Sequence, residues 1–267
     1  MKLVAYGAVV VEVDVLIPVR APAPWLAETL AGVAALTGPT RQVIIALHGI
    51  GPEVEEAVTR SGLPATIVPV AASATLADVL NAGLAAGTAP YVARLDADDI
   101  PLPHRLEVQV RALQQDPDCA VVCSSKLLID VRGGRIGLRR APATADALLR
   151  GMRWKNVIWH PTVMMRRTVV EELGGYNAAA LHAEDYDLWL RVLQHWRIEP
   201  IVEPLIEYRL HASQVTTAKA IPRESAAIIA ASRLSLARAR GESLVAARLR
   251  QSVWSARQVT RRLVRRN

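Results

Sequence analysis

The first 130 residues alternate between two hydrophobic periods, and this alternation restricts the fold more than any other feature. Short apolar runs occur at "VDVLIPV" (13–19), "RQVIIALHG" (41–49), "ATIVPV" (65–70), "PYVARLD" (90–96) and "CAVVCSSKLLID" (119–130). Between them lie segments with helical spacing of apolar residues, at 23–36, 51–62, 75–87 and 103–116. Near-continuous apolar strands separated by helices of this length predict an α/β fold, with a mostly parallel sheet covered by helices on both faces. In such sheets ligands bind beyond the carboxyl ends of the strands.

After about residue 135 the alternation stops. "RIGLRRAPATADALLRGMRWKNVIWHP" reads as a loop-rich excursion. "TVMMRRTVVEEL" follows, then the turn "GGYN", a helix over 183–196 and an extended run over 198–211. Two Arg-rich helices, about 222–240 and 242–265, are separated by Gly241. The expected organisation is a main domain over 1–220 and a basic helical C-terminal extension over 221–267. The net charge of +7 is unevenly spread. Residues 221–267 hold 11 Arg and 2 Glu, or +9, which leaves −2 for the rest.

With 51% hydrophobic and 21% charged residues, the chain supports one sizeable core and is not disordered in composition. No apolar run approaches the roughly 18 residues of a membrane-spanning helix. The opening "MKLVAYGAVVVEVDVLIPV" resembles a signal peptide only weakly, because Glu12 and Asp14 interrupt it. It is read as the lead into a first strand of a cytoplasmic protein. Cys119 and Cys123 would lie on one face of a strand but about 13 Å apart, too far for a disulfide. They are read as two buried thiols.

The stretch "YVARLDADDIPLPHRL" ends its apolar run in Asp96, Asp98 and Asp99. Residues i and i+2 of an extended chain share a face, so Asp96 and Asp98 can converge on one site. Clustered hard oxygens suit Mg²⁺ or Mn²⁺, and magnesium completes its shell with water and phosphate oxygens. A polar turn capped by Asp99 is the bland reading of the same residues. Their position at the carboxyl end of a central strand favours the metal.

The chain resembles the family 2 inverting glycosyltransferases of the GT-A fold over about residues 13–217. Four segments carry the resemblance, in the family's order: "VLIPVRAPAPWLAETL", "LNAGLAAGTAPYVARLDADDIPLPHRLEVQV", "HPTVMMRRTVVEELGGYN", and "AEDYDLWLRVLQHW" with "EPLIEYRLHASQVT". The resemblance implies that Asp96 contacts the ribose of a nucleotide-sugar donor. It makes Asp98 the metal ligand beside the donor diphosphate, with Asp99 in support. It makes Asp185 the general base, flanked by Glu184, and brings His211 to the metal or diphosphate. Pro18 and Val19 fall at the edge of the nucleotide pocket. A base takes the acceptor hydroxyl's proton, and a divalent cation stabilises the leaving diphosphate. At a helix start the dipole would lower the basicity of Asp185, and burial would raise it.

Other residues carry more than one reading. His160, in "WHPTV", either lines the acceptor cleft or is a hydrogen-bonded structural histidine. Trp189 reads as core, and Gly174 and Gly175 as turn formers. The sequence also departs from the family pattern. "IIALHGIG" (44–51) lacks the acid that often reads a uracil ring, and His48 stands nearby. Leu80 precedes Asn81 where the family usually has Arg. A uridine diphosphate donor is therefore not implied.

In the last helix, Val245, Leu249, Val253, Ala256, Val259 and Leu263 form a helical stripe among arginines. Such a helix either lies on an anionic membrane surface, near a glycan or lipid-linked acceptor, or packs on the catalytic domain. Nucleic acid is not an expected partner, because Trp254 is the tail's lone aromatic. A sugar nucleotidyltransferase would want a Gly-rich basic loop after the first strand, whereas "PVRAPAPW" is Pro-rich. A non-enzymatic scaffold that kept the fold is the third reading.

Overall fold

The computed structural model describes residues 12–212 and 221–264. The apolar start up to residue 11, the segment Ser213–Thr216, and Arg265 and Arg266 lie outside them, as do the side chains of Val259 and Leu263. The first half follows the alternation in the sequence: β1 (Val13–Arg20), α1 (Leu26–Ala34), β2 (Thr40–His48), α2 (Pro52–Ser61), β3 (Ala65–Val70), α3 (Leu76–Ala86) and β4 (Tyr91–Arg94). A two-residue strand β5 (Ile100–Pro101), helix α4 (Arg105–Gln115) and the long strand β6 (Cys119–Ile129) come next.

The stretch read as loop-rich holds more structure than its sequence suggests. It contains β7 (Arg135–Arg139), which pairs back on β6, and α5 (Ala145–Met152). A single 3₁₀ turn over His160–Thr162 leads into β8 (Met164–Arg166) and α6 (Arg167–Glu172). Then come α7 (Glu184–His195), β9 (Arg197–Arg209), α8 (Arg223–Ala239) and α9 (Leu244–Val264).

All these strands join one nine-stranded sheet of order β3-β2-β1-β4-β8-β6-β9-β5, with β7 beside β6. The half β3-β2-β1-β4 is parallel, as expected from the repeated strand–helix units. The other half is mixed. β8 enters antiparallel between β4 and β6, while β6 and β9 are parallel. β8 has only three residues, so no period marks it in the sequence.

Alternation along β1 sorts the core into two layers. Val13, Val15, Ile17 and Val19 pack with Leu26, Leu30, Val54, Leu106 and Leu113 of α1, α2 and α4. Leu16 faces the opposite side, where Leu80 and Leu84 of α3 and Leu188 and Trp189 of α7 lie. Asp14 points to that second side and is wholly buried. Its carboxylate accepts from the Ala89 N–H at 3.0 Å and pairs with Arg167 at 2.7 Å. That pair ties the first strand to α6, 153 residues away. Cys119 and Cys123 are buried free thiols.

The C-terminal helices share the second layer's core, to which Ile229, Leu236 and Trp254 belong. Ser232 donates to Asp187 of α7 at 2.7 Å, and Arg233 lies over the Trp254 ring. Gly241 makes the turn between the two helices at φ +65°, a conformation that costs other residues a Cβ clash. Among the described residues, no helix is long and apolar enough to cross a membrane.

Candidate active site

Parallel register sets the site. Leu16 of β1 pairs with Arg94 of β4, and Arg20 pairs with His48 of β2. The ends of β1 and β2 and the acidic stretch after β4 therefore share one edge of the sheet. Val92 and Arg94 point to the α7 side, and the chain then loosens into a turn holding Asp96, Asp98 and Asp99. One carboxylate oxygen from each of these three lies within 4.8 Å of the others.

Each acid has a distinct anchor. Asp96 forms an ion pair with Arg94, a cation only 4% exposed. Asp98 bonds His211 Nε2 through Oδ2 at 2.6 Å. Asp99 is wholly buried. Its Oδ1 accepts the Arg209 backbone N–H at 3.0 Å, while Oδ2 has no hydrogen-bond partner among the described residues. Burial, and then the charge of Asp96, push the Asp98 and Asp99 carboxyls above their usual range. Three carboxylates with an orphaned buried oxygen and an adjacent imidazole form a donor set that suits a hard divalent cation. Asp96, Asp98 and Asp99 could hold such an ion, and His211 lies against Asp98.

Arg209 organises this corner and was not singled out from the sequence. It is fully buried at the end of β9. Its guanidinium donates to the Asp98 carbonyl at 3.1 Å and to the Asp130 and Val131 carbonyls at 3.3 Å, and pairs with Glu28 of α1 at 2.6 Å. Trp25, just before α1, packs against His211 at 4.6 Å between centroids with the rings tilted by 39°, and lies under Arg209. The signal for Arg209 was its place in "YRLH", two residues before His211.

Asp185 lies in the first turn of α7. Asn156 Nδ2 donates to its Oδ2 at 2.7 Å, and the Tyr186 N–H donates to Oδ1 at 2.6 Å. Burial, followed by the neighbouring Glu184 carboxylate, pushes Asp185 from its usual 3.8 up to about 7. Burial likewise raises Glu184. Of the two opposing influences on Asp185, burial outweighs the helix start. Asn156 was missed because it sits in an irregular stretch, 29 residues from the group it holds.

Arg94 links the two acidic groups. It pairs with Asp96, and its charge favours the ionised forms of Asp185 and Glu184. Its Nε and Nη1 have no hydrogen-bond partner among the described residues. Lys126 of β6 is buried with Nζ 3.0 Å from the Tyr208 ring centroid and 5.1 Å from that of Trp159. Burial lowers it to about 8.

The remaining sequence candidates divide. Pro18 is half-buried at the site's edge, whereas the Val19 side chain packs into the core and leaves only its backbone at that edge. His160 is buried, bonds the Tyr176 hydroxyl at 2.8 Å and sits edge-on to Trp189. Burial holds it neutral. Trp189 is wholly buried in the core. Leu80 also faces the core, and Asn81 clamps the Tyr176 backbone with two 2.8 Å bonds. Gly174 and Gly175 take φ +76° and +71°, and a Cβ on Gly175 would meet Asn81 Oδ1 at 2.5 Å. His48 bonds the Ala72 carbonyl at 3.0 Å.

Comparison with known proteins agrees with this architecture. The model for glycosyl transferase family 2 matches residues 14–174. The amylovoran biosynthesis glycosyltransferase AmsE of Erwinia amylovora is 38% identical over 132 residues, 49% of this chain and 48% of that protein. The O-antigen biosynthesis glycosyltransferase WbnJ of Escherichia coli is 35% identical over 123 residues, 45% of this chain and 47% of that protein. The chain thus spans about half the length of the curated relatives it matches. Among solved structures, S. aureus TarS 1–349 in complex with UDP-GlcNAc superposes with a TM-score of 0.71 at 13% identity, covering 93% of this chain and 73% of that one. That similarity confirms the GT-A-type fold. The chain belongs to glycosyl transferase family 2.

Proposed function

We propose that this chain is a metal-dependent inverting glycosyltransferase. It moves a sugar from a nucleotide-diphosphate donor to a hydroxyl of a glycan, lipid-linked or other envelope acceptor. The observation that carries the reading is the pairing of two unlike acidic groups. One is a compact trio, Asp96, Asp98 and Asp99, beside His211. The other is a lone base, Asp185, poised at about 7. The trio serves the diphosphate and ribose, and Asp185 takes the acceptor hydroxyl's proton. Bound between Asp98, His211 and Asp99, Mg²⁺ or Mn²⁺ would supply charge stabilisation to the departing diphosphate.

The names of the relatives support a polysaccharide or envelope acceptor, and the TarS complex with UDP-GlcNAc supports a nucleotide-sugar donor. The missing acid at the end of β2 keeps the base open. A lipid-linked acceptor would place the site of action in the cytoplasm, peripheral to the inner face of the membrane.

The test is a panel of nucleotide sugars assayed for Mn²⁺-dependent binding and transfer. Asp98→Ala is expected to lose donor binding. Asp185→Ala is expected to keep donor binding and lose transfer. If Asp98→Ala binds every donor as wild type does, the metal assignment is wrong. Release of diphosphate from a sugar phosphate and a nucleoside triphosphate would identify a nucleotidyltransferase instead. Turnover of no donor would favour a scaffold.

A further inference from the structure

The last helix has two apolar faces, and the fold covers only one. Ala247, Trp254 and Gln258 are buried where α9 packs on α8 and the body. Val245, Leu249 and Val253 lie on the opposite face and are 68%, 65% and 45% exposed. Spacings of four residues set these three in a line along the helix. Ala256, on the same side, is exposed too. The described part of the sequence stripe, Val245 to Ala256, is thus the outward face, and the helix packs through different residues. A row of branched apolar side chains facing water costs solvation free energy that ordinary surface helices avoid.

We propose that this outward face of α9 seats the chain on an anionic membrane surface. Charge selects the occupant. Residues 244–267 carry seven Arg and no acid. Arg248, beside the stripe, is exposed. The acid just before the helix, Glu242, is already taken by Arg153 at 2.7 Å and Arg250 at 2.6 Å. An apolar line on a helix whose sequence carries a large excess of arginine fits a bilayer interface, where acyl chains meet anionic headgroups. A second copy of this chain fits poorly, because its own tail carries the same charge. Nucleic acid fits poorly as well, because Trp254 is buried under Arg233 and offers no face for base stacking.

The placement also bears on the active site. Glu242 joins α9, through Arg250, to Arg153, three residues before Asn156. Trp154 between them is 43% exposed, and Lys155 is exposed. An exposed Trp beside a cation is a common interfacial anchor. The loop that holds the base therefore adjoins the helix that would meet the membrane.

The experiment is flotation of the full chain with vesicles of phosphatidylglycerol and phosphatidylcholine, or of phosphatidylcholine alone. Binding needs no donor or acceptor, so its failure and the failure of the glycosyl-transfer reading are distinguishable. The chain is expected to float with the anionic vesicles and not with the zwitterionic ones. Leu249→Ser is expected to weaken partition roughly tenfold, and Val245→Ser with Leu249→Ser further. These side chains are exposed, so the variants keep the wild-type circular dichroism and melting temperature. Failure to float with anionic vesicles overturns the proposal. So does flotation that high salt abolishes but the serine variants leave unchanged, or a dimer in sedimentation that Leu249→Ser dissolves. Retardation of RNA or DNA without vesicle binding also overturns it.

Discussion

Asn156→Ala tests how Asp185, the proposed base, is set. Among the described residues, the Asn156 amide is the one side chain that donates to Asp185, at 2.7 Å, and it stabilises the ionised form. A hydrogen bond to a charged group contributes about 1.5–3 kcal/mol, and one pKa unit corresponds to about 1.36 kcal/mol. Losing the bond therefore raises Asp185 by about one to two units above its present value of about 7. Only the ionised carboxylate accepts a proton, so transfer rises with pH through this value. At neutral pH the working fraction falls from about a half to between about a tenth and a hundredth, which predicts kcat lower by about 5- to 50-fold. Near pH 9.5 the gap shrinks. The assay is single-turnover transfer across pH 5.5–9.5 with saturating donor. Asn156 also accepts the Ile158 N–H at 3.0 Å, so alanine loosens the loop. Asn156→Asp keeps an acceptor there and adds a like charge beside Asp185, and its acid limb moves further up. If both variants lose rate equally at every pH with the limb unmoved, Asn156 does not act through the ionisation of Asp185.

Two further outcomes follow from the same geometry. Asp185 has a folded-state value above its usual 3.8, so the folded chain favours the protonated form. That stabilisation is complete below about pH 4 and is lost as the pH rises through about 7. Asparagine stays neutral, so Asp185→Asn melts higher than wild type at pH 8.5, and the gap closes as the pH falls; an equal gap at all pH values would refute this. Arg209→Ala keeps the backbone N–H that bonds Asp99 but strips the Asp98, Asp130 and Val131 carbonyls of the buried guanidinium, and lowers unfolding free energy by about 1–3 kcal/mol in urea denaturation; no measurable loss would show the turn holds itself.

Particular elements show where the sequence was readable. The parallel half β3-β2-β1-β4 is legible because strand and helix periods are local, and each unit carries its own signal. β8 is not, because three residues have no period and its place depends on the strands it separates. The same holds for the site. The acids 96, 98 and 99 are adjacent in sequence and announce themselves. Arg209, Asn156 and Arg94 act on partners brought from elsewhere in the chain.

The tail makes the same division. Its sequence shows a helix with an apolar stripe and an excess of arginine. Which side turns inward was settled by Trp254 and Ala247 fitting against the body, leaving Val245, Leu249 and Val253 outside. The sequence alone determined the fold class and the acids that crowd one edge of the sheet, because these follow from short-range periodicity and residue type. The tertiary structure decided which groups hold those acids, how far burial raises Asp185 and which face of α9 is left to water, because burial and charge pairing arise only when distant segments meet.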